Sequence, residues 1–325
     1  MAQEFTTPDK HLKTHTSLLA RDPLVSYFVL AYGIAWLLWL PLLLSKGGGL
    51  GLIPFTTETT LSGLKTVTII ILGAFGPAIA AVIMTAITEG RAGVALFFRR
   101  IVRVRVGFQW YLMAMFLPLL ALWPVLVVPA QSSRVFSVQG GITLLAYVAF
   151  VLVDMIFGSP LGEEPGWRGF ALPRLQRQMG PLKGTLLLGI LWALWHAPLA
   201  FFTVWGLNYQ RGGIVPGFLL FTLTAISYSV IMTWLFNNTR GSLFLAIMFH
   251  SAVDTSPAIT LLLFPQSANN AVKASGPTIL AAIALTAALW VVIAGIVLIA
   301  TRGKLSYNPS IEQDVHPSPA PSVLE

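Results

Sequence analysis

About eight stretches of the chain run for roughly 20 apolar residues each, the length an α-helix needs to cross a hydrocarbon core of about 30 Å. They cover residues 24–45, 66–88, 108–129, 142–162, 184–204, 217–236, 242–264 and 277–300. A chain so built has few places to go. It is expected to form an all-α, polytopic membrane protein of about eight transmembrane helices in one bundle, because every backbone polar group inside a bilayer must be satisfied within the protein. Composition agrees: 56% of the 325 residues are hydrophobic, 10% are charged, and mean hydropathy is +0.78.

The basic residues divide by side. With the N-terminus in the cytoplasm, all of the 20 lysines and arginines fall in inside segments except Lys46, Lys65, Arg134, Arg211 and Lys273. This asymmetry favours an even number of spans with both termini cytoplasmic, in the cell membrane. It also accounts for the net charge of +8 without invoking nucleic acid. The first apolar stretch follows a polar segment holding Glu4, Asp9 and Asp22 and lacks a small-residue cleavage site, so it reads as a span and not as a signal peptide. Residues 1–23 are expected as a cytoplasmic segment, 24–302 as the membrane domain, and the Pro- and Ser-rich 303–325 as a disordered cytoplasmic tail. The basic stretch 89–107, with its interleaved Phe and Val, suits either an interfacial segment touching anionic lipid or a plain topology-setting loop.

The sequence contains no cysteine, which removes disulfides, thiolate catalysis and cysteine-based zinc sites. Chemistry must come from the ionisable residues within the spans, each of which costs several kcal/mol to place in hydrocarbon. They are confined to the half from 150 to 255: Asp154, Glu163, Glu164, Arg168, His196, His250 and Asp254. Such confinement is expected of one buried site assembled from three helices.

The segment GSPLGEEPGWRGFALPRL, residues 158–175, is the most informative. Its prolines and glycines predict a kink or interruption near Glu164, and irregular backbone at membrane depth is tolerated where it lines a cavity or is buried in protein. Adjacent residues on a helix diverge by about 100°, so Glu163 and Glu164 serve different points, whereas Glu164 and Arg168 are four apart and able to pair. Set against this is an ordinary salt bridge capping a helix that begins at Pro165. His196 stands one turn after Trp192 in an apolar run, and alone would read as a hydrogen-bonded structural residue. His250 and Asp254, at i and i+4, share one face, as a His–Asp hydrogen bond, a shared metal ion or two groups aimed at one substrate atom would require. Asp154, nine residues before Glu163, is expected to face elsewhere and is left outside the set.

In these residues the sequence resembles the CAAX protease and bacteriocin-processing (CPBP) family of intramembrane endopeptidases, bacterial branch. The Glu-Glu-x-x-x-Arg motif stands as Glu163, Glu164 and Arg168, the aromatic-x-x-x-His motif as Trp192 and His196, and the His-x-x-x-Asn/Asp motif as His250 and Asp254. They occur in order on successive apolar segments, over about 150–255. The resemblance implies a glutamate-dependent endopeptidase acting on a membrane-associated peptide or protein, in which Glu163 and His196 activate water and His250, with Asp254, stabilises the oxyanion. Glu164, Arg168 and Trp192 would support them, and no cofactor is implied. Two departures stand out: Trp192 replaces the commoner Phe, and Asp254 stands where the prenyl endopeptidases carry Asn, although an ionised carboxylate cannot donate to an oxyanion.

Two other functions remain open at this point. Zinc is the alternative cofactor, since His196, His250, Asp254 and a glutamate supply enough N and O ligands for a metal-dependent membrane protease, though no H-E-x-x-H pair is present. In the other, the polar cluster merely holds helices together in a non-catalytic immunity or scaffold protein.

Overall fold

The structure is a computed structural model that describes residues 18–46, 49–54, 60–122, 140–203, 206–263 and 274–309. After a single turn at Leu18–Arg21, the helices are α1 (Pro23–Leu44), α2 (Thr60–Ala74), α3 (Gly76–Ile101), α4 (Phe108–Phe116, continued by a tighter turn over Leu117–Leu122) and α5 (Gly140–Phe157). Then come α6 (Pro160–Glu164), a wide π-helical segment at Pro165–Ala171, and α7 (Leu172–Met179). The chain continues with α8 (Pro181–Trp195), α9 (Ala197–Phe202), α10 (Leu207–Gly212), α11 (Ile214–Asn238), α12 (Leu243–Leu263) and α13 (Gly276–Ala300). The only strand-like pairing among the described residues is an isolated bridge between Ser45 and Ile53.

The protein is an all-α polytopic membrane protein. Among the described residues, five helical stretches are long and apolar enough to cross a bilayer: Pro23–Leu44, Leu64–Ile101, Pro181–Phe202, Ile214–Asn238 and Gly276–Ala300. A sixth is obtained if α5 and the helix from Pro160 to Met179, which meet at a bend of 49°, form one broken span. Where described, the eight apolar runs are helical, three of them shared between two consecutive helices, and the described apolar parts of α4 and α12 are 10–17 residues long.

Proline sets most of the boundaries. Pro23, Pro77, Pro160 and Pro181 each lie in the first turn of a helix, where a missing N–H costs nothing. Pro198, two residues after His196, cannot donate to the carbonyl of Leu194, and there the helix breaks between α8 and α9. The core has two parts. One gathers Tyr27, Trp39, Trp167, Phe170 and Trp195, and the other Tyr147, Phe249 and Trp290.

Three expectations need correction. The interruption foreseen near Glu164 lies earlier, at Gly158–Ser159, because Pro160 opens a new helix; Glu164 and Pro165 both keep helical dihedrals, and the backbone answers the prolines by widening into π turns. The basic stretch from 89 is no separate loop: as far as Ile101 it continues α3 beyond a kink at Gly90, and Arg100 within it is buried. The tail begins ordered, since Leu305 is buried and its carbonyl accepts from the Asn237 amide at 2.9 Å. The disorder expected for residues 1–17 and 310–325 falls outside the described residues.

Candidate active site

The glutamate helix is held deep in the protein by close backbone approach. A Cβ added to Gly162 would lie 2.6 Å from the carbonyl oxygen of Ala74, and one added to Gly166 would lie 2.5 Å from Pro77 Cβ. Spaced by four, these two glycines form a small-residue stripe against the α2–α3 junction. Every residue from 162 to 176 is consequently buried.

The two glutamates, 2% and 0% exposed, have different partners. Glu164 Oε1 accepts from Arg168 Nη1 at 2.9 Å, the pair expected from the i, i+4 spacing, and from His250 Nδ1 at 2.8 Å. Glu163 Oε2 instead accepts from the indole N–H of Trp192 at 2.8 Å. Arg168 is further fixed by Ser229 Oγ, 3.2 Å from its Nη2, and by the Trp192 ring, whose centroid lies 4.8 Å from the guanidinium carbon. Four helical segments thus meet at one ion pair: α6 with its π continuation, α8, α11 and α12.

Trp192 stands between the histidines. The His250 ring meets it edge-on at 5.3 Å and the His196 ring at 5.7 Å. His196 Nδ1 lies 2.9 Å from the Trp192 carbonyl, so this nitrogen carries the hydrogen and donates, leaving Nε2 as the ring's acceptor. His196 is also enclosed by Trp195 and Phe221, with ring centroids at 4.7 and 5.4 Å. The structure therefore joins His250 directly to the glutamate pair and sets His196 at another edge of the indole.

On the open side of the site, His250 Nε2 is 3.7 Å from Asp254 Oδ1, whose side chain is 36% exposed. The Ser159 hydroxyl donates to Asp254 Oδ2 at 3.3 Å and also lies beside Glu163. Asp154, left outside the set, lies on α5 before the bend at Gly158–Ser159 and is half-buried. Among the described residues no three His, Asp or Glu side chains are arranged to hold a metal ion.

Sequence reasoning passed over Ser159, Ser229 and Arg100. A serine in an apolar helix gives little sign of its role, since its hydroxyl can be satisfied by its own backbone. Arg100 was counted among the topology-setting charges, and only its burial sets it apart.

A helical membrane protein in which a glutamate, an arginine and a histidine are bonded together where its helices meet, with a second glutamate held by the neighbouring tryptophan, belongs, as a class, among those that keep an ionisable site inside the bilayer. Comparison with known proteins narrows this. Residues 142–256, which include every site residue from Ser159 to Asp254, match the family of type II CAAX prenyl endopeptidase Rce1-like proteins, so the resemblance covers about a third of the chain and all of the site. CAAX prenyl protease 2 of Methanococcus maripaludis is 34% identical over 123 residues, which are 37% of this chain and 44% of the relative. The chain thus spans less than half the length of the relative it matches.

Proposed function

We propose that the protein is a glutamate-dependent intramembrane endopeptidase that hydrolyses a peptide bond of a membrane-associated peptide or protein. The observation that carries this reading is the unequal bonding of the adjacent glutamates. Glu164 Oε1 holds two donors, Arg168 and His250, which suits a structural anchor. Glu163 receives an indole N–H on Oε2 and sits beside Ser159, and a carboxylate with about four lone-pair sites keeps capacity to accept a proton from water.

In this mechanism a water gives its proton to Glu163 as its oxygen attacks the scissile carbonyl, with His196 aiding from its edge of the indole. Negative charge develops on the carbonyl oxygen. His250, anchored through Nδ1, turns Nε2 toward the exposed side, where as an imidazolium it would donate to that oxygen. Asp254, being exposed, acts as a carboxylate that orients and neutralises this ring, with Ser159 holding it; it does not need to donate. The C–N bond then breaks and Glu163 returns the proton to the leaving amine. The similarity to a CAAX prenyl protease supports a membrane-associated substrate. The distribution of basic residues supports a cell-membrane location with both termini cytoplasmic.

The test is cleavage of synthetic membrane-associated peptides by the purified protein and by its Glu163→Gln variant in matched detergent. Product from the first and none from the second is expected; equal product from both overturns the assignment. The mechanism requires no metal, so exhaustive chelation is expected to leave the rate unchanged. Loss of activity on chelation, with recovery on adding zinc, would establish the metal-dependent reading.

A further inference from the structure

Arg100 lies in the last turn of α3, far from the family motifs in sequence, and is 2% exposed. A guanidinium that deep cannot meet a lipid headgroup, so its place in a basic stretch does not explain it. Its hydrogen bonds do: Nη1 donates to the Gly169 carbonyl at 2.9 Å, Nη2 to the Arg168 carbonyl at 3.4 Å, and Nε to the Gly241 carbonyl at 3.4 Å. The ring of Phe236 lies 5.2 Å from the guanidinium carbon.

The first two of these carbonyls lie where Pro173 removes a helical donor: residue 173 has no N–H for an i+4 bond to Gly169 or, in the wider π pattern of this segment, for an i+5 bond to Arg168. The second belongs to Arg168, the residue that anchors Glu164. The third lies in the turn between α11 and α12. One turn further along the chain, Arg103 grips the same turn by donating to the Arg240 carbonyl. Ser242 Oγ donates back to the Arg103 carbonyl at 2.6 Å and receives the N–H of Leu245 at 3.3 Å, capping α12. The end of α3 therefore clasps both the π segment that carries Arg168 and the start of the helix that carries His250.

We infer that Arg100 is a positioning residue, which sets the glutamate helix against the histidine helix by tying the π segment to the turn before α12. Its consequence for turnover rests on the endopeptidase reading; its consequence for geometry does not. The planar fork reaches two segments at once, and a lysine at the same place, with a single point of charge, would hold one of them.

The test uses the full-length protein in lipid nanodiscs with Arg100→Lys, and with Arg105→Lys as an exposed control from the same stretch. Because the chain lacks cysteine, Gln178→Cys on α7 and Ala258→Cys on α12, both exposed, give two unique sites for spin labels. Arg100→Lys is expected to broaden the label–label distance distribution and to lower kcat on the order of tenfold to a hundredfold with KM within about twofold. The melting temperature and the Arg105→Lys protein should stay near wild type. An unchanged distribution overturns the inference, as does a loss of turnover that only follows the fraction unfolded. If the wild-type protein cleaves no peptide, the endopeptidase reading fails, and the label distances still decide the role of Arg100.

Discussion

Two regions of this membrane protein obey opposite rules. From Gly162 to Gln176 every residue is buried by other parts of the protein, and the stretch holds Glu163, Glu164, Arg168 and Arg174. α13 has the highest hydropathy of the candidate spans and contains no charge, yet it is buried only at Ile279, Ala287, Trp290, Ala294 and Val297. Hydropathy thus records contact with lipid more than depth within the fold. Lipid tails are as apolar as leucine, so a helix facing them needs only to be apolar. The glutamate segment meets protein on all sides, where paired charges and hydrogen bonds replace lost hydration. If that difference is functional, substitutions in the two regions should separate by both size and kind of effect.

The largest effect is expected at Glu163. Glu163→Gln keeps shape and a carbonyl oxygen that can still accept from Trp192, but it removes the proton acceptor. Peptide cleavage should fall by about 10²–10⁴-fold while thermal stability stays near wild type. A folded, fully active variant would show that the buried segment is not where water is activated.

Next comes stability. Glu164→Gln leaves Arg168 and His250 facing an amide in a fully buried site, and Arg168→Met leaves Glu164 with a lost counter-charge. Each should destabilise the protein by about 3–5 kcal/mol, read from thermal or denaturant unfolding in detergent. The double variant should recover part of the loss, since no uncompensated charge of the pair remains. Additive losses would mean that the pair is not coupled, and that the contrast with α13 comes from packing alone.

These residues also mark what could be read in the sequence. The Glu164–Arg168 pair was legible because it depends only on helical spacing, which survives the widening into π turns that follows Glu164. The bond between His250 and Glu164 was not, since it depends on how two distant helices dock. The burial of Arg100 was not legible either, because a basic residue near a span end normally marks topology. The long spans α1, α8, α11 and α13 were plain from hydropathy. Within the described residues α4 and the apolar part of α12 are shorter, and the rest of the apolar run at 108–129 lies outside them.

Trp192 offers a finer test within the buried region. Trp192→Phe keeps an aromatic face under Arg168 and between the histidines but removes the indole N–H from Glu163. Losing a buried hydrogen-bond partner costs about 1–3 kcal/mol, so a rate decrease of about tenfold is expected, smaller than at Glu163. Stability should drop less than in the Glu164 and Arg168 variants, because the ion pair remains. An unchanged rate would indicate that Ser159 is sufficient to hold Glu163.

The smallest effect is expected on α13. Ile296 is 61% exposed within the protein and Ile299 80%, so both side chains face the lipid. In a soluble domain, replacing a buried isoleucine by alanine removes transfer energy and leaves a cavity, at about 2–5 kcal/mol. Neither term applies where hydrocarbon covers the side chain in both the native and the reference state, and where lipid or detergent chains fill the space vacated. Ile296→Ala and Ile299→Ala should each change unfolding stability by less than about 0.5 kcal/mol and leave cleavage unaltered. A loss above about 2 kcal/mol at either position would mean that protein covers this face, and the oligomeric state in nanodiscs would then be the quantity to measure.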